Sequence, residues 1–441
     1  MRIAVVGSGI SGLAAALRLA PQHAVTLFEA DTRLGGHTNT VDVTLDGVTH
    51  PVDTGFLVLN ERTYPNLLAL FRELDVPIAK SDMSFSASIG PHRLEWCGAS
   101  LGTVFAQPSN LLRPRFLGML RDILRFNRQA TALARELERL HPGDGAAAGH
   151  ALNQPLGQWL DEHGYGAGFR DWYLLPMAAA IWSCPMSTMV GFPLGAFVRF
   201  WHNHGLLQVE GRPQWFTVDG GARRYVDRIA SQLADVRTAT PVREVRRVPG
   251  PAGTRIALAT DRGTEHFDHV VLATHSSQTL AMLADAGDDE REALSGIPYQ
   301  PNVAWLHTDT ALMPRRQRAW AAWNYMSNGD PGQPRVSLTY WLNRLQPLPF
   351  RTPVLVSLNP MHEPAPDTVI ERIEYAHPVF DGRAPSAQRA IRRLQGARHT
   401  WFAGAWTGYG FHEDGLKSGL AAAAGILEAT ARAPRLDRAA A

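Results

Sequence analysis

Three glycines near the start of the chain have the spacing that nucleotide phosphates require. An apolar run from Ile3 to Val6 leads into Gly7-Ser8-Gly9-Ile10-Ser11-Gly12, a helical stretch follows from Leu13 to Ala20, and a strand from Val25 to Phe28 precedes Glu29. Glycine lets backbone N–H groups approach a pyrophosphate at a helix N-terminus, and the carboxylate can accept hydrogen bonds from ribose hydroxyls. The order strand, turn, helix, strand and acid therefore predicts dinucleotide binding.

The residues after Glu29 indicate which dinucleotide is bound. Glu29-Ala30-Asp31-Thr32-Arg33-Leu34-Gly35-Gly36-His37-Thr38 resembles the extended fingerprint of the flavin amine oxidase superfamily. In that fingerprint a second glycine pair lies against the cofactor phosphates and an arginine approaches them. NAD-binding domains do not usually carry this extension, so we predict FAD. An ordinary surface turn at Gly35-Gly36 is the alternative.

A third candidate cofactor segment runs from Trp401 to Leu416. We expect a strand to end at Gly404, an aromatic, glycine-rich loop to cross the ligand, and a helix to start near Gly415. The helix dipole would then stabilise negative charge at N1 and O2 of the reduced flavin. A plain strand-loop-helix connection is the alternative.

These three segments resemble the flavin-containing amine oxidase and phytoene desaturase superfamily. Nearly the whole chain is similar to bacterial flavin oxidoreductase-like proteins linked with cyclopropane fatty acid synthase, and to the oxidase-like N-terminal region of the plant synthases. Besides the opening turn and Leu34-Gly35-Gly36-His37, the strings that carry this resemblance are Asp53-Thr54-Gly55-Phe56, Thr63-Tyr64-Pro65-Asn66, Ser81-Asp82-Met83-Ser84-Phe85, Gly211-Arg212-Pro213-Gln214-Trp215, Thr339-Tyr340-Trp341-Leu342-Asn343 and Gly408 to Leu416.

The resemblance implies tightly held FAD, a Rossmann-like FAD domain, a mixed-sheet and helical substrate domain, and an association with modified membrane fatty acids. On the motifs and the resemblance together, we predict FAD contacts at Gly7, Gly9, Ile10, Ser11, Gly12, Glu29, Ala30, Arg33, Gly35, Gly36, His37, Thr38, Thr54, Gly55, Phe56, Val242, Ala273, Thr274, His275, Gly404, Ala405, Glu413, Asp414, Gly415 and Leu416.

A missing lysine bears on the reaction. Flavin oxidases and desaturases move a hydride from substrate carbon to flavin N5, and an amine oxidase usually adds a lysine that reaches N5 through water. The comparable stretch, Val336 to Asn343, has no lysine, and neither do residues 81 to 416. This absence disfavours an ordinary amine oxidase.

Four residues are candidate catalytic groups. His412 and Glu413 have side chains suited to proton transfer, and Tyr409 and Tyr340 could be their hydrogen-bonding partners. The alternative is that His412 and Glu413 cap the following helix or bond the flavin without reacting. An apolar substrate cavity, or ordinary core, is indicated by tryptophans at 159, 172, 182, 201, 215, 305, 320, 323 and 341.

Composition excludes several classes of protein. A formal net charge of +2 does not indicate nucleic-acid binding, and two cysteines, Cys97 and Cys184, cannot form a disulfide framework. His202 and His204 lack the neighbours that would complete a metal site. With a strand from residue 2 and no apolar run of roughly 18 residues, a cytoplasmic protein is expected.

The pattern along the 441 residues predicts an α/β fold with an α+β substrate part. A discontinuous FAD-binding domain is expected from 1–80, 210–285 and 395–430, a substrate domain from 81–209 and 286–394, and a flexible tail from 431–441. Breaks are expected at 141–145, 249–253 and 328–332.

Before the first of these breaks, a helix starting near Pro114 is predicted by the periodic spacing of Phe116, Leu120, Ile123, Leu124, Leu133, Leu137 and Leu140. Its arginines at 121, 125, 128, 135 and 139 form either a solvated face or a surface resting on anionic lipid.

We therefore expect an FAD-dependent oxidoreductase acting on a carbon of an apolar, fatty-acyl or lipid substrate, with oxygen or another electron acceptor. An amine oxidase, a redox-neutral isomerase and a noncatalytic flavin-bound partner of a cyclopropane fatty acid synthase are the alternatives.

Overall fold

The computed structural model describes residues 1–90, 93–139, 154–182, 186–208, 211–250, 253–330 and 335–432. Several sequence-based predictions fall outside these residues. They concern the break at 141–145, residues 251–252 and 331–332 of the two later breaks, the boundary at 209–210, Leu140, Cys184, and residues 433–441 of the tail.

Strands and helices alternate through the described residues. The strands are β1 Arg2–Val6, β2 Ala24–Phe28, β3 Thr40–Leu45, β4 Val48–Asp53, β5 Leu59–Asn60, β6 Ile78–Ser81, β7 Phe85–Ile89, β8 Leu94–Cys97, β9 Trp215–Val218, β10 Asp235–Arg237, β11 Val242–Gly250, β12 Gly253–Thr260, β13 Gly263–Phe267, β14 His269–Leu272, β15 Tyr299–His307, β16 Trp323–Ser327, β17 Val336–Trp341, β18 Leu355–Leu358, β19 Val369–Pro378 and β20 Thr400–Phe402.

The α-helices are α1 Ile10–Leu19, α2 Pro65–Glu73, α3 Leu101–Val104, α4 Pro114–Arg139, α5 Leu156–Glu162, α6 Ala167–Phe169, α7 Leu175–Trp182, α8 Met186–Val190, α9 Leu194–Asn203, α10 Arg223–Ala230, α11 Ser276–Met282, α12 Asp288–Ser295, α13 Leu342–Leu345, α14 Ala384–Leu394 and α15 His412–Arg432. A π-helical turn, Arg170–Leu174, joins α6 to α7, and 3-10 turns lie at Pro108–Leu112, Thr310–Leu312, Gln317–Ala319, Pro366–Thr368, Ala397–His399 and Ala405–Thr407.

A five-stranded parallel sheet forms the first layer. Its order is β10-β2-β1-β14-β20, and all four pairings are parallel. This sheet is covered on both faces, and its strands β1, β2, β14 and β20 are accordingly short runs of mostly apolar residues. Chain segments far apart in sequence thus meet in one sheet, and this confirms the predicted α/β class with a Rossmann-like sheet.

Two glycines let α15 lie directly on α1. A Cβ added at Gly415 would lie 2.9 Å from Ile10, and one added at Gly419 would lie 2.0 Å from the backbone oxygen of Ser11. Since side chains at these positions would separate the two helices, the glycines serve helix packing.

A seven-stranded mixed sheet forms the second large layer, in the order β19-β15-β18-β17-β16-β7-β8. Its core continues into the helices between α4 and α9, where Phe126 makes edge contacts with Trp159 and Tyr165 at ring distances of 5.9 and 5.7 Å. Smaller sheets, β3-β4, β5-β9-β6 and β11-β12-β13, complete the fold. The predicted domain boundaries stay predictions.

The predicted long helix is present as α4, and it starts at Pro114 as expected. Phe116, Met119, Phe126 and Leu137 are buried. Leu124, which is part of the predicted apolar periodicity, is 55% exposed and therefore lies on the outward face of α4.

Candidate functional site

A cavity of about 690 Å³ lies where the parallel sheet meets the seven-stranded sheet. The residues that directly follow three parallel strands line it, namely Gly7 after β1, Glu29 after β2 and Ala273 after β14, as does Gly404 just beyond β20. Ligands of open parallel sheets bind beyond the carboxyl ends of the strands. The topology therefore places the three sequence segments around one cavity.

The opening turn leaves room for a ligand at the start of α1. Gly7 has a φ of +99°, and a Cβ there would meet the Ala273 carbonyl oxygen at 2.7 Å, whereas a Cβ at Gly9 would meet nothing within 4 Å. Gly9 is the N-cap of α1, and neither a capping side chain nor a first-turn acid satisfies the free N–H groups of the helix. This end of α1 is thus an open anion-binding position in the cavity wall.

Glu29 is held at the edge of the same turn. Its carboxylate accepts hydrogen bonds from the backbone N–H and hydroxyl of Ser8, at 2.8 and 2.5 Å, and from the Asp31 N–H at 2.9 Å. The carboxylate retains lone pairs for hydroxyl donors in the cavity, since each oxygen can accept more than one bond. The geometry suits a ribose.

The second glycine pair packs against the first turn. Gly35 and Gly36 have φ of +109° and +57°, and a Cβ at Gly36 would lie 3.3 Å from the Cα of Gly9. The next residue, His37, also lines the cavity, and its buried Nε2 has no hydrogen-bond partner among the described residues. An orphaned buried nitrogen beside an uncapped helix N-terminus fits a phosphate-bearing ligand, as in FAD.

The end of the third segment also reaches the cavity, through Gly404, Ala405, Tyr409 and His412. His412 begins α15, its ring stacks on Phe56 at a centroid distance of 3.9 Å, and its Nε2 is 2.8 Å from the Tyr225 hydroxyl. The same hydroxyl lies 2.5 Å from Thr38 Oγ1. A continuous polar chain thus fixes the start of α15 at the cavity wall.

Burial keeps the histidines around the cavity neutral. It lowers the pKa of His412 to about 3 and that of His275 and His377 to about 4, and it lowers the pKa of His37 well below the ordinary value. The rings of His37 and His377 lie 5.2 Å apart, so that protonating one would repel the other. These groups are neutral hydrogen-bonding groups at pH 7.

Most of the predicted cofactor residues line the cavity, and so do Tyr340 and Tyr409. The cofactor residues that do so are Gly7, Gly9, Ile10, Ser11, Glu29, Ala30, Gly35, Gly36, His37, Thr54, Gly55, Phe56, Val242, Ala273, Thr274, His275, Gly404 and Ala405. The others, Gly12, Arg33, Thr38, Glu413, Asp414, Gly415 and Leu416, are not among its lining residues. Direct contact of the lining set with FAD stays a prediction.

The seven predicted residues that do not line the cavity lie outside its wall, where they pack or hydrogen-bond with neighbouring parts of the protein. A Cβ at Gly12 would lie 1.8 Å from the Gly7 carbonyl oxygen, so Gly12 lets α1 pack on the turn. Arg33 Nη1 donates to the Gly36 carbonyl at 2.8 Å and holds the second turn. Thr38 bonds Tyr225, and Leu416 is buried in the core.

Glu413 and Asp414 are occupied by backbone donors. The buried Glu413 carboxylate accepts the N–H groups of Asn66 and Leu67, at 3.1 and 3.0 Å, at the start of α2. The Asp414 carboxylate accepts the N–H groups of Tyr409 and Phe411, both at 3.1 Å. This geometry favours a structural role over the predicted proton transfer for Glu413, because its oxygens lie outside the cavity lining and cap a helix.

Apolar and aromatic side chains form the other half of the cavity. Trp323 and Tyr340, paired across β16 and β17, make an edge-to-face contact at 4.9 Å. Of the predicted tryptophans, 182, 215 and 323 line the cavity, whereas Trp159 and Trp201 belong to the buried core. Burial raises the pKa of Tyr340, so its hydroxyl stays protonated and can act as a donor.

Charge is nearly absent from the described lining residues. Glu29, at the nucleotide end, is the single Asp, Glu, Lys or Arg among them. The substrate half therefore offers no ion-pair partner in the described part of the chain.

His204 is a polar group that sequence reasoning did not assign to this site. It follows α9, lines the cavity, and its Nδ1 lies 2.9 Å from the Phe200 carbonyl oxygen. A carbonyl only accepts, so Nδ1 carries the proton and Nε2 is left as an acceptor. Burial lowers the pKa of His204 to about 4, which keeps the ring neutral.

Other lining residues also escaped sequence analysis, including Thr240, Gln278, Tyr299, Tyr375 and His377. Tyr375 and His377 are two residues apart in β19 and therefore point to the same face of the sheet. The spacing of Tyr375-Ala376-His377 was the sequence feature that could have indicated a shared face. Nothing in the sequence, however, shows that this strand lies beside the second glycine pair.

Comparison with known proteins places the chain among flavoproteins. The model of the family described as flavin containing amine oxidoreductase matches residues 10–427. Carotenoid phi-ring synthase from Streptomyces griseus is 29% identical over 335 residues, which cover 70% of this chain and 60% of that protein. The chain thus spans about three fifths of the length of this curated relative.

Solved structures with the same fold include enzymes of different activity. Cyclohexylamine oxidase from Brevibacterium oxydans has a TM-score of 0.70 at 16% identity, covering 98% of this chain and 99% of that one. A fatty acid isomerase from P. acnes that produces CLA has a TM-score of 0.66 at 16% identity, covering 97% and 98%. Likeness at this level of identity shows the fold alone.

Proposed function

Because this chain belongs to the flavin containing amine oxidoreductase family, whose cofactor is FAD, we propose that it is an FAD-dependent oxidoreductase acting on a carbon of an apolar acyl or lipid substrate. The observation that carries the proposal is the uncharged, aromatic lining of the substrate half. A protonated amine would lose its hydration there without gaining a carboxylate partner, and burying an unpaired charge is costly. An acyl chain would gain free energy from the same burial.

The same lining disfavours a free carboxylate in the cavity. No arginine or lysine among the described lining residues could pair with it. We therefore favour a substrate whose acyl group is uncharged within the cavity, as in an ester or thioester, with any charged head group outside it.

The residues present divide the work between holding the cofactor and holding the substrate. FAD, when bound, supplies a two-electron hydride acceptor. The open N-terminus of α1 and the two glycine turns would hold its phosphates, and Glu29 would hold a ribose. Trp182, Trp323 and Tyr340 would exclude water from the acyl chain and orient it.

Oxidation of a carbon chain requires removal of a hydride and a proton. The hydride leaves one carbon with its bonding electron pair, a proton leaves the neighbouring carbon, and a carbon–carbon double bond forms. Among the protein's own groups, His204 Nε2 is the candidate acceptor of that proton. Its lone pair is available because the hydrogen bond to the Phe200 carbonyl is made by Nδ1.

An amine oxidase is the second candidate. The faces of Trp323 and Tyr340 could attract a cationic amine through cation–π contact in place of a carboxylate. Oxygen as the electron acceptor, a redox-neutral isomerisation, and a cyclopropane fatty acid synthase as partner stay predictions.

Metabolite profiles of cells with and without the gene test the proposal. We expect acyl lipids that differ by two hydrogens between the two strains, and no difference when the gene carries Gly9→Val, which obstructs the nucleotide position. Unchanged lipids together with accumulated amines in the deletion strain would contradict it.

A further inference from the structure

Five leucines are exposed within one short part of the chain. Leu101, Leu111, Leu112, Leu117 and Leu124 lie on α3, on the 3-10 turn Pro108–Leu112 and on α4, and we call them the leucine surface. Leu112 and Leu101 are 86% and 81% exposed, so folding has removed almost none of their surface from water. Single exposed leucines are ordinary, but a concentration of this kind marks an interaction site.

The exposure does not come from a poorly packed helix. Phe116, Met119 and Phe126 of α4 are at most 1% exposed, which shows that the opposite face is fully used by the core. Leu117 and Leu124 are seven residues apart and lie on the outward face together with Arg121 and Arg128. This face alternates apolar and cationic side chains.

Charge around the leucine surface is predominantly positive. Residues 100–135 contain six arginines, at 113, 115, 121, 125, 128 and 135, and a single acid, Asp122. The Asp122 side chain is only 4% exposed and lies 3.6 and 3.4 Å from Arg121 and Arg125. Arg115 pairs with Asp171 at 2.8 Å. Exposed leucines among arginines match the two layers of an anionic membrane surface, apolar below and negative above.

We propose that the leucine surface docks this protein onto an anionic lipid bilayer. A second copy of the chain is a poorer occupant, because a two-fold contact would bring the same arginines face to face. Docking would be peripheral, since no helix in the described ranges has the length and apolarity needed to span a bilayer. The inference rests on the surface alone and does not depend on the proposed reaction.

Vesicle flotation of the full-length protein with FAD bound tests this proposal. Vesicles of phosphatidylglycerol and phosphatidylcholine in equal parts should carry the protein upward, and pure phosphatidylcholine vesicles should not. Arg121→Glu with Arg128→Glu should weaken binding about tenfold or more, because two cationic side chains that attract the anionic surface are replaced by two that repel it. Leu111→Ser with Leu112→Ser should weaken it similarly while retaining FAD.

Matched controls lie elsewhere on the surface. Val48→Ser changes another exposed apolar residue, 44% exposed, and Arg393→Glu changes an exposed arginine of α14. Both should float like the unaltered protein. Failure to float on anionic vesicles, or equal flotation of the leucine and control variants, would overturn the proposal. The proposal would also be overturned if the unaltered protein were a dimer, the leucine variant were a monomer, and neither of the two bound vesicles.

Discussion

Gly9 and Gly12 are three residues apart in one turn, yet a side chain would meet different surroundings at each. The space beside Gly9 is open to the cavity, whereas the space beside Gly12 is filled by the Gly7 carbonyl. The first glycine therefore leaves room for the ligand, and the second leaves room for the protein's own backbone.

We expect Gly9→Val to fold and to lose FAD, because its side chain enters the phosphate position without striking the protein. Gly12→Val should instead lower the unfolding free energy, by roughly 1–3 kcal/mol or more, because the helix must shift to relieve the overlap. Flavin content after gel filtration and the melting temperature separate the two effects. The placement of the phosphates is wrong if Gly9→Val retains FAD.

His204 lines the cavity, and its Nε2 is the candidate proton acceptor. His204→Phe should slow substrate-dependent bleaching of the flavin by about 10²–10⁴-fold, the usual contribution of a positioned base, and should leave FAD binding unchanged. His202→Phe is the matched control, since His202 lies two residues earlier and is not among the lining residues. Equal rates in both variants would exclude proton transfer at His204.

Most of the cofactor residues predicted from the sequence line the cavity, because fixed spacing in a strand-turn-helix unit determines where backbone and ligand meet. It did not distinguish His412, which reaches the cavity, from Glu413, which does not. Adjacent residues of a helix point about 100° apart, and that angle becomes informative only once α2 is placed beside α15.

The helices α2 and α15 are coupled through Glu413. Its carboxylate satisfies two backbone N–H groups at the start of α2 and the amide of Asn66. The two backbone N–H groups lie in the first turn of α2, where they have no partner within the helix, and would be left unsatisfied without the carboxylate.

Glu413→Ala should therefore lower the unfolding free energy by about 1–3 kcal/mol. Glu413→Gln should lose less, since one acceptor oxygen remains. Neither change should slow flavin reduction once FAD is bound, as urea unfolding and stopped-flow absorbance would show. A large rate loss with unchanged stability would restore Glu413 as a proton-transfer group.

Local pattern predicted β1, α1, β2, β14 and α4 because each is set by periodicity and turn residues. The seven-stranded sheet was less accessible to prediction. Its edge strand β19 pairs with β15 about 70 residues away, and β7 pairs in parallel with β16 from the other half of the chain. Such pairings depend on tertiary packing, which is why Tyr375 and His377 were missed.

For the whole molecule, buried histidines set the response to acid. Burial lowers the pKa of His37, His204, His269, His275, His307, His377 and His412 below the ordinary 6.5. Below pH 6.5 the unfolded chain thus takes up protons on seven histidines that the folded chain resists. Asp53 and Asp414, with pKa raised to about 6, act in the opposite sense but are only two groups.

Stability should therefore be greatest above about pH 6.5 and should fall as the pH drops toward 4, because the unfolded state binds more protons in that window. Melting temperatures of the FAD-bound protein at constant ionic strength measure this. A melting temperature that stays level or rises from pH 7 to pH 5 would contradict the assignment of neutral buried histidines.

We propose that an uncharged acyl chain, rather than an amine, is oxidised in this cavity. Anaerobic mixing of the FAD-bound protein with acyl esters and phospholipids, and separately with polyamines and aromatic amines, distinguishes the two substrate classes. We expect the flavin absorbance to bleach with an acyl lipid, and mass spectrometry to show a product lighter by two hydrogens. Bleaching by an amine, with none from any acyl lipid, would contradict the claim.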